Sequence, residues 1–459
     1  MDFKIDQYTN YFFVGIAGTG MSAIAQYLKG MGKNVGGSDR LFNQNSKLPI
    51  QEQFEKMGIN CFYQDGTGIT KETQVVVVST AIEVSNTEYQ KAINLGIKLV
   101  KRSDLLAVIS ASKKTIAVGG TSGKSTTTAM IFHILKENNV SPSLITGAGL
   151  TVLQEKGLPG NAWIGESEWL VIEADESDGS IVNYIAEIGI VLNIDRDHKE
   201  FEELTGLFKT FKKNTQKQFI INRDYELLRS ISAGAENDFG TKPGAGFWAE
   251  NYRQKGFEIS FTINGKSFKI PVIGSHNMEN ATAAIAASVA AGVKMEDGAT
   301  ALQTFQGIYR RTQLLGEKNG IIVIDDFAHN PAEVGAAIKT CQYLGKRVFA
   351  WFQPHGYGPL RFMHEELVEK VVEILREEDF FIMSEVYYAG GTVNKDINSD
   401  IVIKAVKARN KNALLVEDRN KLSGVLNNLI KAGDVILLMG ARDPSLGDFA
   451  KSVFINSNS

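Results

Sequence analysis

Proline, cysteine and net charge are all scarce in this chain of 459 residues. Its 9 prolines are about 2% of the residues, against about 5% on average. The two cysteines, Cys61 and Cys341, are too far apart in sequence for a disulfide framework or a CxxC metal site, which fits a reducing compartment. A net charge of −3 leaves no excess of basic residues to attract nucleic acid or an acidic lipid surface.

Long apolar runs and a secretory leader are also missing. No apolar run approaches about 18 residues, the length that predicts a membrane-spanning helix. The amino-terminal sequence MDFKIDQYTN carries acidic side chains where a signal peptide needs basic and then apolar ones. We therefore expect a cytoplasmic protein with neither nucleic-acid nor membrane partners. A monomer or weak homodimer is also expected, although nothing in the sequence reveals the oligomeric state.

Glycine is the residue in surplus, and the chain length predicts about three domains at roughly 150 residues each. Three segments each begin with a strand-like apolar run, at 11–16, 115–120 and 321–328, and continue with alternating strand and helix patterns. Such alternation predicts parallel, doubly wound sheets. Shorter alternating stretches between about 218 and 271 predict appended antiparallel hairpins. We expect an α/β protein with a Rossmann-like first domain, a central parallel-sheet domain and a Rossmann-like last domain, at 1–112, 113–316 and 317–459.

The segment GGTSGKST at 119–126 lies between a strand pattern and a helix pattern. Glycines let backbone amides converge on phosphate, while a lysine reaches the terminal phosphates and a serine holds Mg²⁺. Val118 stands where the usual motif has its first glycine, so a plain strand-to-helix turn is the alternative. The residues predicted at a nucleoside triphosphate are Gly120, Thr121, Ser122, Gly123, Lys124, Ser125 and Thr126.

Polar side chains follow the next two strand patterns of the same segment. EADESD at 173–178 comes after WLVI, and His198 comes after IGIVLNI. Carboxylates at the end of a strand are suited to a hard cation, and Glu173 is the candidate ligand. The alternatives are a solvated acidic turn and a structural histidine.

A second glycine-rich loop follows the first strand pattern and opens a helix. In a doubly wound domain such a loop binds a diphosphate, with Asp39 after the second strand available for a ribose hydroxyl. The spacing G-x-x-G-x-G differs from that of dinucleotide-binding loops, although residues 1–100 alone would also fit a nicotinamide-dependent dehydrogenase. The loop residues singled out are Gly15, Gly18, Thr19, Gly20 and Met21.

These motifs together resemble the Mur ligase family, the ATP-dependent amide-forming ligases of peptidoglycan precursor synthesis. The resemblance covers the whole chain in the family's order. Two of the motifs, EADESDGS and FQPH, favour its alanine-adding branch and the closely related ligases that recycle whole peptides. The motifs are GIAGTGMSAIA with GSD, STAI at 79–82, GTSGKSTTT at 120–128, EADESDGS at 173–180, NIDRDH, GSHNMENATAA, YRRTQLLG at 309–316, DDFAHNP and FQPH at 352–355.

The resemblance implies transfer of the γ-phosphate of ATP to the lactyl carboxylate of UDP-N-acetylmuramate, followed by attack of L-alanine on the acyl phosphate. Lys124 and Arg310 would neutralise the phosphates, and Ser125, Glu173 and His198 would hold Mg²⁺. His276, Asn277, Asn280 and Asp325 would contact ATP. Asp39 and Ser79 would accompany the first glycine loop at the uridine diphosphate.

The chain departs from the alanine-adding pattern at three places. Ser122 replaces a histidine in the phosphate loop. Phe327–Asn330 replaces Tyr-Gly-His-His, and Gly356–Gly358 follows FQPH in place of His-Arg-Tyr, both in the domain expected to receive the amino substrate. His329 and His355 are expected at the amino substrate, and Arg442 is a hypothetical replacement for a carboxylate-binding arginine. The alternatives are a ligase that recycles the peptide L-alanyl-γ-D-glutamyl-meso-diaminopimelate and a catalytically silent nucleotide-sugar sensor.

Overall fold

Parallel sheets with helices on their faces organise the chain, as the alternating patterns predict. The computed structural model describes residues 3–43, 47–194, 201–388 and 394–457. Contacts between Cα atoms divide it into two units. The first unit is Met1–Arg253, Ile259–Pro271 and Ser275–Ile308, and the second is Gln254–Glu258, Val272–Gly274 and Tyr309–Ser459. The predicted boundaries at 112 and 316 stay predictions.

The first sheet has five parallel strands in the order β3-β2-β1-β4-β5. Its central strands are buried on both faces, which explains the unbroken apolar run of β4, VVVV. The order reverses between β1 and β4, so a crevice for a ligand is expected at their carboxyl ends. The elements are β1 Asn10–Val14, α1 Thr19–Gly30, β2 Asn34–Asp39, α2 Pro49–Lys56, β3 Asn60–Tyr63, β4 Val75–Val78, α3 Thr87–Asn94, β5 Lys98–Lys101 and α4 Arg102–Ala111.

The central part of the chain, also in the first unit, forms a six-stranded sheet in the order β11-β10-β6-β9-β7-β8. Only the edge strand β8 is antiparallel among the pairings described. The elements are β6 Lys114–Gly119, α5 Lys124–Glu137, β7 Ser143–Ile145, α6 Thr151–Gln154, β8 Ala162–Trp163, β9 Trp169–Glu173, β10 Ala186–Val191, α7 Phe201–Asn214, β11 Thr215–Ile221, α8 Glu226–Arg229, β12 Phe239–Gly240, β13 Phe247–Lys255, β14 Glu258–Ile263, β15 Lys266–Ile270, α9 His276–Ala290 and α10 Met295–Leu302.

The predicted hairpins correspond to a second, four-stranded sheet, β12-β13-β14-β15. β14 and β15 pair antiparallel, and their alternating burial matches a sheet with one solvated face. The prediction of antiparallel hairpins was wrong for the first part of the region, because β11 joins the parallel sheet beside β10 and β12 pairs parallel to β13.

The second unit contains a six-stranded sheet in the order β16-β17-β21-β18-β19-β20. Its edge strand β16 is antiparallel to β17 and the others are parallel. Pro331 begins α11, and the side chain of Asn330 caps that helix by accepting from the Glu333 amide at 2.9 Å. The elements are β16 Gln313–Lys318, β17 Ile321–Asp326, α11 Pro331–Cys341, β18 Arg347–Gln353, α12 Tyr357–Ile374, β19 Phe380–Met383, α13 Asp400–Ala408, β20 Asn412–Leu415, α14 Leu422–Asn427, β21 Asp434–Gly440 and α15 Leu446–Asn456.

The two cysteines are free thiols, one in each unit. Burial raises the pKa of Cys61 to about 12. Cys341 is fully buried in α11, and burial raises its pKa well above the ordinary value. Both thiols are therefore protonated at neutral pH.

Candidate functional site

The loop between β6 and α5 lies at the carboxyl end of a central strand. Gly120 has φ +125° and Gly123 has φ +83°, conformations that residues with side chains rarely adopt. A Cβ on Gly123 would lie 2.4 Å from Oδ1 of Asn280, so the loop needs glycine where it passes α9. The loop leads into the amino end of α5, where unpaired amides and the helix dipole favour an anion.

Lys124 begins α5, and its ammonium group is held inside this loop. Its Nζ donates to the carbonyl oxygen of Gly120 at 2.7 Å and to both carboxylate oxygens of Glu176 at 3.1 Å. Burial raises the pKa of Glu176, and Lys124 acts in the opposite direction. A phosphate at this loop would compete with Glu176 for the lysine.

Asn193, which follows the neighbouring strand β10, holds the loop by two hydrogen bonds. Its Oδ1 accepts from the Ser122 amide at 2.8 Å, and its Nδ2 donates to the Ser122 carbonyl oxygen at 2.9 Å. Sequence reasoning did not single out Asn193, although its position directly after a buried strand was a signal. Ser122 itself is exposed, while its backbone is fixed on both sides.

Glu173 ends β9, the strand next to β6, with Val118 as its register partner. Its Oε1 accepts from the Gly147 amide at 2.7 Å and from Oγ1 of Thr146. Oε2 accepts no hydrogen bond from the part of the chain that the structure describes, which leaves a carboxylate oxygen for a hard cation. Oxygen donors on Glu173 and Ser125 fit Mg²⁺. His198 lies outside the described residues, and no group of three acidic, histidine or cysteine side chains within them could hold a metal.

The glycine loop after β1 is shaped by Asp39, the last residue of β2. One carboxylate oxygen of Asp39 accepts from the Ala17 amide and the other from the Leu41 amide, each at 3.0 Å. Gly15 has φ +82°, and Ser79 follows β4 across the point where the strand order reverses. Thr19, Gly20 and Met21 form the first turn of α1. Gly18 precedes that turn, and its amide donates to the carbonyl oxygen of Gly15.

Three residues predicted at the nucleotide lie on the first turns of α9. His276 is exposed at its start, while Asn277 and Asn280 are buried. Asn280 Oδ1 accepts from Oγ1 of Thr127 at 3.3 Å, and its Nδ2 donates to Oδ1 of Asn277 at 3.2 Å. The bond to Thr127 joins α9 to α5 beside the lysine loop. The contact of these residues with ATP stays a prediction.

Arg310 and Asp325 form a buried ion pair in the second unit. Nε of Arg310 lies 3.0 Å from both carboxylate oxygens of Asp325, and its Nη2 donates to the carbonyl oxygen of Gly440 at 2.9 Å. Arg310 is 6% exposed and Asp325 is 1% exposed. Burial raises the pKa of Asp325, although the charge of Arg310 opposes the rise. Both residues were predicted at ATP; the structure pairs them with each other at the carboxyl ends of β17 and β21.

The residues predicted at the amine form a second cluster in this unit. The ring centroids of His329 and His355 are 5.5 Å apart. Burial, with the charges of Arg442 and His329, lowers the pKa of His355 to about 4, and its buried Nδ1 has no partner among the described residues. Burial would lower the pKa of His329, but the hydrogen bond and charge of Glu333, 3.0 Å away, raise it overall. At pH 7, His355 is therefore neutral beside the exposed guanidinium of Arg442.

A glycine loop with a lysine at a helix start, beside a carboxylate that ends the adjacent strand, defines a multidomain α/β protein of the phosphate-binding-loop class. The chain belongs to the Mur ligase family, which confirms the resemblance stated above. Family models match it in three consecutive segments. They are the Mur ligase family, catalytic domain at 10–114, the Mur ligase middle domain at 118–288, and the Mur ligase, glutamate ligase domain at 310–442.

Full-length relatives and solved structures agree with this assignment. A UDP-N-acetylmuramate–L-alanine ligase of Agrobacterium fabrum is 32% identical over 94% of this chain and 93% of its own. One of Carboxydothermus hydrogenoformans is 31% identical over 95% of both chains. The crystal structure of UDP-N-acetylmuramate-alanine ligase from Thermotoga maritima aligns with a TM-score of 0.80 at 26% identity, covering 98% of each chain. The expected three-domain α/β fold is thereby confirmed.

Among the residues described, we find no helix with the length and apolar character needed to cross a bilayer.

Proposed function

We propose that this chain is an ATP-dependent ligase that joins the lactyl carboxylate of UDP-N-acetylmuramate to the amine of L-alanine. Full-length similarity to relatives of that name supports the proposal. The observation that carries it is the placement of two residues beside adjacent strands: Lys124 begins the helix that follows β6, and Glu173 ends β9. Phosphoryl transfer needs positioned positive charge more than covalent chemistry from the protein, and this pair supplies a cation and a metal ligand together.

The reaction has two balanced steps. A carboxylate oxygen attacks the γ-phosphorus, the bond to the β–γ bridging oxygen breaks, and ADP leaves with the electron pair. The amine nitrogen then attacks the acyl carbon, phosphate leaves, and the proton of the amine passes to solvent. Lys124 neutralises charge on the phosphoryl oxygens in both steps, once the phosphates have replaced Glu176 as its partner.

Ser125 and Glu173, together with His198, would hold Mg²⁺ in this proposal. When bound, the ion would neutralise charge at the phosphate oxygens. Thr146 and the Gly147 amide hold Oε1 of Glu173. These two hydrogen bonds fix the orientation of the carboxylate and therefore the position of Oε2. The Gly15–Met21 loop takes the uridine diphosphate at the amino end of α1.

In the second unit, Arg442 and His355 receive the amino acid. Arg442 supplies an exposed guanidinium for the substrate carboxylate, and the low pKa of His355 keeps a second positive charge out of that region at neutral pH. His329 remains paired with Glu333.

The test is phosphate release from ATP in the presence of UDP-N-acetylmuramate, with L-alanine, L-serine, glycine and L-alanyl-γ-D-glutamyl-meso-diaminopimelate in parallel. We expect release that depends on both UDP-N-acetylmuramate and L-alanine, with the amide product identified by mass spectrometry. Lys124→Met should slow release by about 10²–10³-fold, while Lys136→Met, at the other end of the same helix, should retain it. Faster release with the peptide than with L-alanine would identify the peptide as the amino substrate. No release with any amine would favour the catalytically silent sensor.

A further inference from the structure

The side chain of Asn161 ties the amino half of α1 to the central part of the first unit. Its Nδ2 donates to the carbonyl oxygen of Thr19 at 2.8 Å and to Oγ of Ser22 at 2.6 Å. Its Oδ1 accepts from Nε2 of Gln26 at 2.8 Å. Ser22, Gln26 and Asn161 are all buried. All these bonds reach the stretch Thr19–Gln26 of the helix that begins in the proposed uridine diphosphate loop.

The backbone of Asn161 continues the connection toward the lysine loop. Its carbonyl oxygen accepts from the Thr146 amide at 3.0 Å. Oγ1 of Thr146 donates to Oε1 of Glu173. An unbroken series of hydrogen bonds therefore runs from the first turn of α1, through Asn161 and Thr146, to the proposed metal carboxylate.

Two further contacts hold α1 against the same region. At Gly30, the last residue of α1, a Cβ would lie 2.3 Å from a side-chain carbon of Ile164, so only glycine permits this approach. At the other end, Arg102 lies against Gly20 and pairs with Asp178, in the acidic segment after Glu173, at 3.0 Å. The helix is thus fixed along its whole length, with the buried Asn161 network between the two ends.

We propose that Asn161 is a positioning residue that couples the two proposed ligand loops, so that UDP-N-acetylmuramate at the Gly15–Met21 loop and magnesium nucleotide at the Lys124 loop strengthen each other's binding. This inference rests on the proposed function, which supplies the two ligands. Each ligand needs its loop in one arrangement. Because the Asn161 network connects the first loop to Glu173, the ligand that binds first orders both, and the second ligand then loses less conformational entropy on binding.

Contiguous hydrogen bonds do not by themselves measure coupling, whereas a thermodynamic cycle does. We would titrate UDP-N-acetylmuramate by calorimetry with and without a saturating non-hydrolysable ATP analogue and Mg²⁺, and then titrate the analogue with and without the sugar nucleotide. In the wild-type chain each ligand should tighten the other by about fivefold or more, by the same factor in both directions. In Asn161→Ala that factor should fall close to 1, while each ligand alone still binds.

Thr146 allows the second half of the connection to be tested separately. Thr146→Val removes the hydroxyl that contacts Glu173 but keeps the amide that donates to Asn161. It should lower the coupling factor and weaken Mn²⁺ binding in the nucleotide complex, read by electron paramagnetic resonance. Thr146→Ser restores a hydroxyl and should rescue both quantities.

Matched controls come from the same part of the chain. Asn138→Ala removes an amide that donates to the carbonyl oxygen of Ile134, and Thr115→Val removes a buried hydroxyl that donates to that of Ser110. Both should keep the wild-type coupling factor, which separates coupling from a general loss of stability.

Two results would overturn the inference while leaving the proposed function intact. One is a folded Asn161→Ala chain with the wild-type coupling factor. The other, which decides the question if Asn161→Ala does not fold, is wild-type coupling and Mn²⁺ affinity in Thr146→Val. Failure of the wild-type chain to bind either ligand would instead contradict the proposed function itself.

Discussion

Two cations that the sequence places at the same nucleotide lie in contrasting surroundings. Lys124 lies at a glycine loop, where its Nζ donates to the carboxylate of Glu176 and lies 4.0 Å from that of Asp175. Arg310 is buried against Asp325 and two backbone carbonyl oxygens. The first cation can exchange its carboxylate for a phosphate at little structural cost. The second is held in a buried ion pair of its unit, and its contact with ATP stays a prediction.

The largest effect should come from breaking the pair in the second unit. Asp325→Asn leaves the guanidinium of Arg310 buried without a counter-charge, and arginine cannot lose its proton. We expect the free energy of unfolding to fall by about 3–5 kcal/mol, measured by urea denaturation. Arg310→Met should cost less, because burial has already raised the pKa of Asp325 and favours its neutral form. Equal losses in the two variants would contradict this asymmetry.

Lys124→Met tests the other side of the comparison. The variant should reduce kcat by about 10²–10³, corresponding to about 3–4 kcal/mol of transition-state stabilisation. Its free energy of unfolding should change by about 1 kcal/mol, less than in Asp325→Asn, because Glu176 can take up a proton when its partner is lost. The measurements are steady-state phosphate release and urea denaturation on the same preparation. A large loss of stability with normal kcat would reverse the roles assigned to the two cations.

The second unit also holds a buried neutral side chain, His355, whose pKa is lowered to about 4. The unfolded chain takes up this proton below about pH 6.5, while the folded chain does so only near pH 4. Stability from this group is therefore present above pH 6.5 and is lost as the pH falls toward 4, by up to about 3 kcal/mol in total. Urea denaturation of wild type and His355→Gln at pH 7.5 and pH 5 should show a smaller pH dependence in the variant. Parallel pH profiles would contradict the assignment.

The smallest effect concerns the carboxylate that competes for Lys124. Glu176→Gln removes the internal counter-charge, so the KM for ATP should fall about two- to fivefold, or less than about 1 kcal/mol. Glu168→Gln, which disturbs only an exposed pair with Lys114, is the control and should leave the KM unchanged. A higher KM in Glu176→Gln would mean that Glu176 orients the lysine rather than competing for it.

Much of the fold follows from local sequence patterns. Apolar runs without alternation predicted the buried parallel strands β4, β6 and β9, and glycine spacing predicted both loops that open helices. The parallel placement of β11 could not be predicted, because pairing partners are set by the tertiary packing rather than by the strand's own pattern. The type of each element could therefore be predicted from local sequence, whereas the order of strands in a sheet could not.

The candidate site divides in the same way. Lys124 and Glu173 were predictable because each follows a recognisable strand and carries chemistry in its motif. Asn161 was not, since its partners Thr19 and Ser22 lie about 140 residues earlier in the chain, and a lone asparagine in a loop has no periodic signal. The burial of Arg310 could not be predicted either, because two consecutive arginines, Arg310 and Arg311, are typical of an exposed surface.

The two protonated thiols, one in each unit, make the chain convenient for labelling. Alkylating dyes react with thiolates, and at neutral pH neither Cys61 nor Cys341 supplies one in quantity. A cysteine introduced at an exposed position of each unit, such as Tyr343 in the second, would therefore carry a fluorophore selectively without replacing the native thiols. Energy transfer between two such dyes would then report the distance between them as each ligand binds.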